Sequence, residues 1–297
     1  MATQETSRPP HEHLGYARLQ NPTDASIIPF FTACETNVIS SALQLASGRE
    51  PGVLTFGLTR AVKAGHFELA NQLVVIGAEW DAFTVNFAAK SIPGVNWLVE
   101  SGYNVNTSLI GGGGLLGIVI RRNDEASIRY LLEHGARPEL GPPLVAGSLQ
   151  SIRPETNSYW TLNQAAAFCT PQVFALLLEH GADVNAAIPL HYAAGTGLPP
   201  SPDNLPISSR IPMLEYLVGL GIDVNAMDDA IRTEGYGCAY DGTPLSYAVK
   251  WGGVEETRWL LQHGADPDKK SIYGVSAKDQ AMRLPSDHLV AVLLRET

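Results

Sequence analysis

Apolar residues along this chain come in short bursts that stop on glycine. Six segments share one ending: "LVVIGAEWDA" (73–82), "WLVESGYNVN" (97–106), "YLLEHGARPE" (130–139), "LLLEHGADVN" (176–185), "YLVGLGIDVN" (216–225) and "WLLQHGADPD" (259–268). In each, the apolar run predicts the last turns of a helix. The glycine at 77, 102, 135, 181, 221 and 264 suits the left-handed conformation that terminates it. His134, His180 and His263 stand one place earlier, where a partial positive charge complements the helix C-terminus. Upstream of each ending a second short helix is predicted, clearest in "IPLHYAAGTG" (188–197) and "GTPLSYAVKWGG" (242–253). Thr243 is placed to cap the latter, and Pro244 suits its first position, where no amide hydrogen is needed.

A Pro-Leu-His/Ser helix with small Ala residues, then a second helix and Gly-Ala-Asp-x-Asn, resembles the ankyrin repeat, whose period is about 33 residues. The resemblance covers residues 27 to 295 and rests on recurrence. Gly102 to Gly135 spans 33 residues, and the other gaps are 25, 46, 40 and 43, so the array is irregular. It implies an all-α fold, a solenoid of about seven or eight helix-turn-helix units joined by finger loops. Residues 1–26 form a polar arm before a single repeat domain at 27–297, with a divergent opening unit at 27–50 and a closing one at 271–297. Insertions fall at 141–160, 197–212 and 227–241.

The stretch "SLIGGGGLLGIVIRR" (108–122) tests this phase, because Gly112, Gly114 and Gly117 satisfy G-x-G-x-x-G. Counted back from Gly135, "LGIVI" (116–120) fills the place of "LHYAA" (190–194). The glycines then belong to a finger and turn, not to a strand opening a βαβ unit, and no Lys-Ser or Lys-Thr follows them. Neither a dinucleotide site nor a P-loop is expected, and no cofactor is implied.

The resemblance further implies that the two positions after each Ala-Ala pair line a concave face. Lys63, Lys90, Arg121, Arg122, Phe168, Lys250 and Trp251 fall in such places. Tyr159 and Trp160 precede one inner helix, and Tyr240 belongs to the finger before another. The expectation is a groove cationic in its first half and aromatic in its second. Long cations are also ordinary on solvated helices, and Trp160 also suits packing beneath an insertion. The fingers at 141–160 and 227–241 are candidates to close over the groove. Were the chain an enzyme, Asp229, Tyr236, Tyr240, Asp241 and Arg121 are the candidates for cofactor-free proton transfer of a cyclase, isomerase or lyase type. The plainer alternative is that Asp228, Asp229 and Glu234 are a solvated acidic loop. His191 occupies the repeat's usual histidine place, where it bonds the turn.

Composition narrows the function class. Among 297 residues 45% are apolar and 17% charged, with a net charge of −10. This is a globular chain poorly suited to nucleic acid. Cys34, Cys169 and Cys238 form no Cys-x-x-Cys pair, so no disulfide framework or metal site is expected. No apolar run reaches membrane-spanning length and the N-terminus is polar, so the expected place is cytoplasm or nucleus. Two readings follow: a monomeric scaffold gripping a partner protein through an acidic and apolar segment, or a binder of a small anionic or aromatic metabolite.

Overall fold

The computed structural model describes residues 13–14, 17, 24–109, 114–141, 158–195, 209–228, 242–251 and 253–295. Sixteen α-helices lie among them, and most pack as consecutive pairs, the first member of each here called the inner helix and the second the outer. The described chain divides into two compact units. Unit 1 holds the described residues through Ile118 together with Ala126–Ala136; unit 2 holds Val119–Glu125 and the described residues from Arg137 onward.

In unit 1 the pairs are α1 (Ile28–Glu35) with α2 (Ile39–Ala46), α3 (Pro51–Lys63) with α4 (Phe67–Val75), and α5 (Ala82–Ala88) with α6 (Ile92–Glu100). α1 packs on α3 and α3 on α5, while α2 packs on α4. The helices α7 (Leu115–Arg121) and α8 (Glu125–Glu133) follow. In unit 2 the pairs are α9 (Trp160–Phe168) with α10 (Pro171–Glu179), α11 (Pro189–Ala194) with α12 (Ile211–Gly219), α13 (Pro244–Trp251) with α14 (Val254–Gln262), and α15 (Ala277–Ala281) with α16 (Leu289–Arg295). There α9, α11, α13 and α15 pack successively, as do α10, α12, α14 and α16. Leu58, Leu69, Leu73 and Leu98 fill the seams of unit 1, and Leu177, Leu190, Leu217, Leu245 and Leu260 those of unit 2. Each such burial contributes about 1.5–3 kcal/mol.

The helix stops follow from the repeated glycine. All six glycines of the shared ending have positive φ, from 84° to 107°. At Gly264 the amide donates to Leu261 O and the next amide, Ala265, reaches back to Leu260 O, which satisfies the last free carbonyls. His134, His180 and His263 add to this. Each donates its Nδ1–H to the carbonyl four residues earlier, at 2.7, 2.9 and 2.7 Å.

Within the N-terminal arm, β1 (His13–Leu14) pairs in parallel with β2 (Ser108–Leu109), His13 opposite Ser108 and Leu14 opposite Leu109. A short strand therefore does precede the glycine run, because the finger edge at β2 offers backbone groups that an extended segment satisfies. It is two residues long and its partner comes earlier in the chain, so no βαβ unit arises. α7 begins at Leu115 directly after Gly114, where a Cβ would lie 3.1 Å from Thr107 O. Close backbone approach explains that glycine.

Candidate partner-binding surface

The exposed ends of the inner helices carry cations set over aromatic rings. In unit 1, α3 ends at Lys63 and α5 ends just before Ala89 and Lys90. Both ammonium groups approach the half-buried Phe87 ring, Lys63 Nζ at 5.3 Å and Lys90 Nζ at 5.5 Å from its centroid. One turn back on α3, Arg60 lies 4.6 Å over Phe31 and pairs with Glu35. Cation–π contacts at such exposed sites are worth about 0.5–1 kcal/mol each. They hold the charges at fixed places while leaving them in water. Arg60 and Phe87 were not singled out from the sequence, although Phe87 stands one helical turn before Lys90.

Unit 2 treats its candidate residues differently. Arg121 closes α7, and both it and Arg122 are half-buried and engaged with neighbours. Phe168 and Tyr159 are 2% and 4% exposed, so neither lines a surface. α9 reads "WTLNQAAAF", without a charge, and its polar residues Thr161, Asn163 and Gln164 are buried with its apolar ones. Thr161 through Phe168 are all in the core. Trp160 opens α9 half-buried, its amide donating to Ser158 Oγ at 3.2 Å.

At the end of α13, Lys250 is exposed and its Nζ lies 4.1 Å over the half-buried Trp251 ring. Trp251 in turn meets Tyr247 edge-on at 5.3 Å, and Tyr247 meets His191 edge-on at 5.1 Å. This cluster sits against the base of the inserted finger. Asp228, read from sequence as a member of a solvated loop, is 2% exposed. Its Oδ2 accepts from Gly242 N–H at 3.2 Å and from the Tyr247 hydroxyl at 3.0 Å. Its own amide donates to Gly242 O at 3.0 Å. His191 Nε2–H points between Ala226 O and Gly242 O, both at 3.1 Å. Burial holds that imidazole down to about 4, with the carbonyls opposing the shift, so the ring is neutral and acts as a strap. Gly242 has φ +112°, and a Cβ there would come 3.1 Å from Ser271 Cβ. Sequence reasoning missed both Asp228 and Tyr247 as parts of this clamp.

Beside the clamp a cleft of about 330 Å³ opens between the end of α13, the next finger and the region of α15. Val249 and Lys250 come from α13, Ser271 and Tyr273 from the finger, and Arg283 and Leu284 from beyond α15. The finger is a tight hairpin in which Ser271 N–H donates to Val275 O at 2.9 Å and Gly274 N–H to Ser271 O at 2.9 Å. Its tip exposes Ile272 by 54% and Tyr273 by 67%.

Asp229, Tyr236, Tyr240 and Asp241 lie outside the described residues, as does most of each insertion. Among the described residues no group of three or more His, Cys, Asp or Glu is placed to hold a metal ion. No described helix is long and apolar enough to cross a membrane. Cys34 and Cys169 are buried free thiols; burial pushes Cys34 up to about 12 and raises Cys169 as well.

One segment of this architecture has a counterpart among known protein families. The family model for the ankyrin repeat matches residues 240–272, the segment containing the Gly242 clamp, α13 and α14. Ankyrin repeat and SOCS box protein 6 of Homo sapiens is 30% identical over 136 residues, 46% of this chain and 27% of that protein. Its counterpart from Pongo abelii is 29% identical over the same length and shares. The match therefore spans about a quarter of these relatives' length. The human ASB11 ankyrin repeat domain, a crystal structure, aligns over 90% of this chain and 96% of that one, with 18% identity and a TM-score of 0.43. With one unit matched in sequence, its closing phrase recurring along the chain and its helices packed in pairs within both units, the chain is an ankyrin-repeat protein.

Proposed function

We propose that this chain is a protein-binding scaffold that engages a partner at exposed inner-helix ends within its units, as an adaptor or regulator. The observation that carries the reading is the set of ring-supported ammonium groups, Lys63 and Lys90 on Phe87 and Lys250 on Trp251. In a chain of net charge −10 these are local positive features held beside apolar rings. They suit a partner segment that is both acidic and apolar. Arg121 and Arg122 add cations at the end of another inner helix. Cytoplasm or nucleus is the proposed setting, since Cys34 and Cys169 are thiols.

The test is affinity capture with the full chain, read by quantitative mass spectrometry, beside the variants Lys63→Ala/Lys90→Ala, Lys250→Ala/Trp251→Ala and the outer-helix control Arg258→Ala. Retained proteins should fall by about tenfold or more in the inner-face variants and stay unchanged in the control. Capture that ignores both inner-face variants yet drops with the outer-helix change would overturn the proposal.

A further inference from the structure

The described residues around the cleft beside α13 combine an apolar floor with a cationic rim. Its floor is apolar, with Val249 buried and Leu284 half-buried, and its rim carries the exposed cations Lys250 and Arg283. Among the described residues no carboxylate lines it, although the sequence holds 30 Asp and Glu against 20 Lys and Arg. The nearest acid on α15, Asp279, is committed elsewhere. Its Oδ2 accepts from Ser276 N–H at 3.0 Å while its own amide donates to Ser276 Oγ at 3.1 Å, a closed capping box. Those bonds to Ser276 hold its carboxyl below the usual range, helped by Lys270 and Arg283.

We propose that this cleft is a docking site for an extended acidic segment of a partner protein, one aliphatic side chain entering over Val249 and Leu284 with flanking carboxylates on Lys250 and Arg283. The inference deepens the scaffold reading and rests on it. A space of about 330 Å³ is at the small end of ligand pockets and takes one large side chain with room for its neighbours. What favours a polypeptide over a small anion is the surface beyond the rim. Ile272 and Tyr273 stand exposed side by side on the hairpin tip, and the Lys250–Trp251 pair extends the face along α13. A small anion would leave both uncovered, whereas a chain passing through the cleft would cover them. Exposed Tyr beside cations is a composition enriched in protein interfaces.

The experiment uses the full chain and short fluorescent peptides built around Asp-Leu-Glu, with Asn-Leu-Gln counterparts, read by anisotropy at physiological salt. The acidic peptides should bind, and their amide counterparts at least about tenfold more weakly, the loss expected when charge-assisted hydrogen bonds are removed. Lys250→Ala/Arg283→Ala should cause a similar loss, and Tyr273→Ser a smaller one. All three residues are exposed, so the variants should keep the wild-type circular dichroism and thermal midpoint. Equal binding of acidic and amide peptides would overturn the proposal. So would peptide displacement by citrate at equal concentration, which would make the occupant a small anion. Loss of binding in Lys63→Ala/Lys90→Ala with none in Lys250→Ala/Arg283→Ala would remove the cleft but leave the scaffold reading standing. Peptide binding indifferent to every one of these variants would count against both.

Discussion

Each unit contains a buried carboxylate in the stretch between an outer helix and the next inner one, and the two do different work. In unit 1 Asp81 caps α5, its Oδ1 accepting from Thr84 N–H and Thr84 Oγ1–H, both at 2.8 Å. Its second oxygen accepts from Ala17 N–H at 3.1 Å, so this finger is occupied by the chain's own N-terminal segment, which also pairs with β2. In unit 2 Asp228 clamps the base of a long finger through Gly242 and Tyr247, and the next finger borders an open cleft. In Asp81 one oxygen serves the cap and the other the docked segment. In Asp228 a single oxygen, Oδ2, takes both bonds that close the loop, and the open surface lies at the neighbouring finger.

The largest effect expected from this contrast is on stability. Asp228→Ala strands the Tyr247 hydroxyl and the Gly242 amide in the core, a loss of about 3 kcal/mol for two unsatisfied buried donors. Asp81→Ala removes an N-cap and one tether, a loss of about 1–2 kcal/mol. Urea unfolding of both variants measures the difference. Equal losses would show that the clamp is no stronger than an ordinary cap.

Acidification tests the same clamp from the other side. His191 is buried between two carbonyls with its pKa lowered from 6.5 to about 4 by that burial. Its ring faces Tyr247, whose hydroxyl is held by Asp228. Between those two values the unfolded chain binds a proton that the folded chain refuses. Stability from this group is therefore complete above pH 6.5 and falls as pH drops towards 4, by on the order of 3 kcal/mol. His191→Asn should flatten the curve in that window, since an amide can still donate to a carbonyl without titrating. An unchanged slope in the variant would assign the acid sensitivity to other groups.

These contrasts mark what was legible in the sequence. The helix stops were, because a glycine at the end of an apolar run acts within one turn, and all six adopt the expected backbone. The inner-helix pairs were too, since Pro244 and the Ala pairs encode local conformation and close packing. Phe168 was not, because whether a helix-end ring faces water depends on the helices packed around α9. Asp228 escaped for the same reason: its partners are 14 and 19 residues downstream, beyond any local pattern. The cleft was half visible. Lys250 was named from its place after the Ala248–Val249 pair of α13, whereas Tyr273 and Arg283 fell in a segment read only as a closing unit, where two adjacent exposed apolar residues, Ile272 and Tyr273, were the available signal.

The smallest expected effect concerns the finger edge of unit 1. The tie between His13–Leu14 and Ser108–Leu109 consists of a two-residue parallel ladder and the Ala17 bond to Asp81. Short edge pairs contribute only about 0.2–1 kcal/mol each, and ordering an otherwise free segment costs backbone entropy of similar size. Deleting residues 1–17 should thus move the thermal midpoint little while speeding amide exchange at the β2 edge, read residue by residue by nuclear magnetic resonance. The same deletion frees the backbone of β2 and one oxygen of Asp81, which sharpens the contrast between units: peptide binding at the unit 2 cleft should be unchanged. Unaltered exchange at the β2 edge after the deletion would mean that the N-terminal segment does not hold this edge in solution, and the two units would then differ only in how their carboxylates are spent.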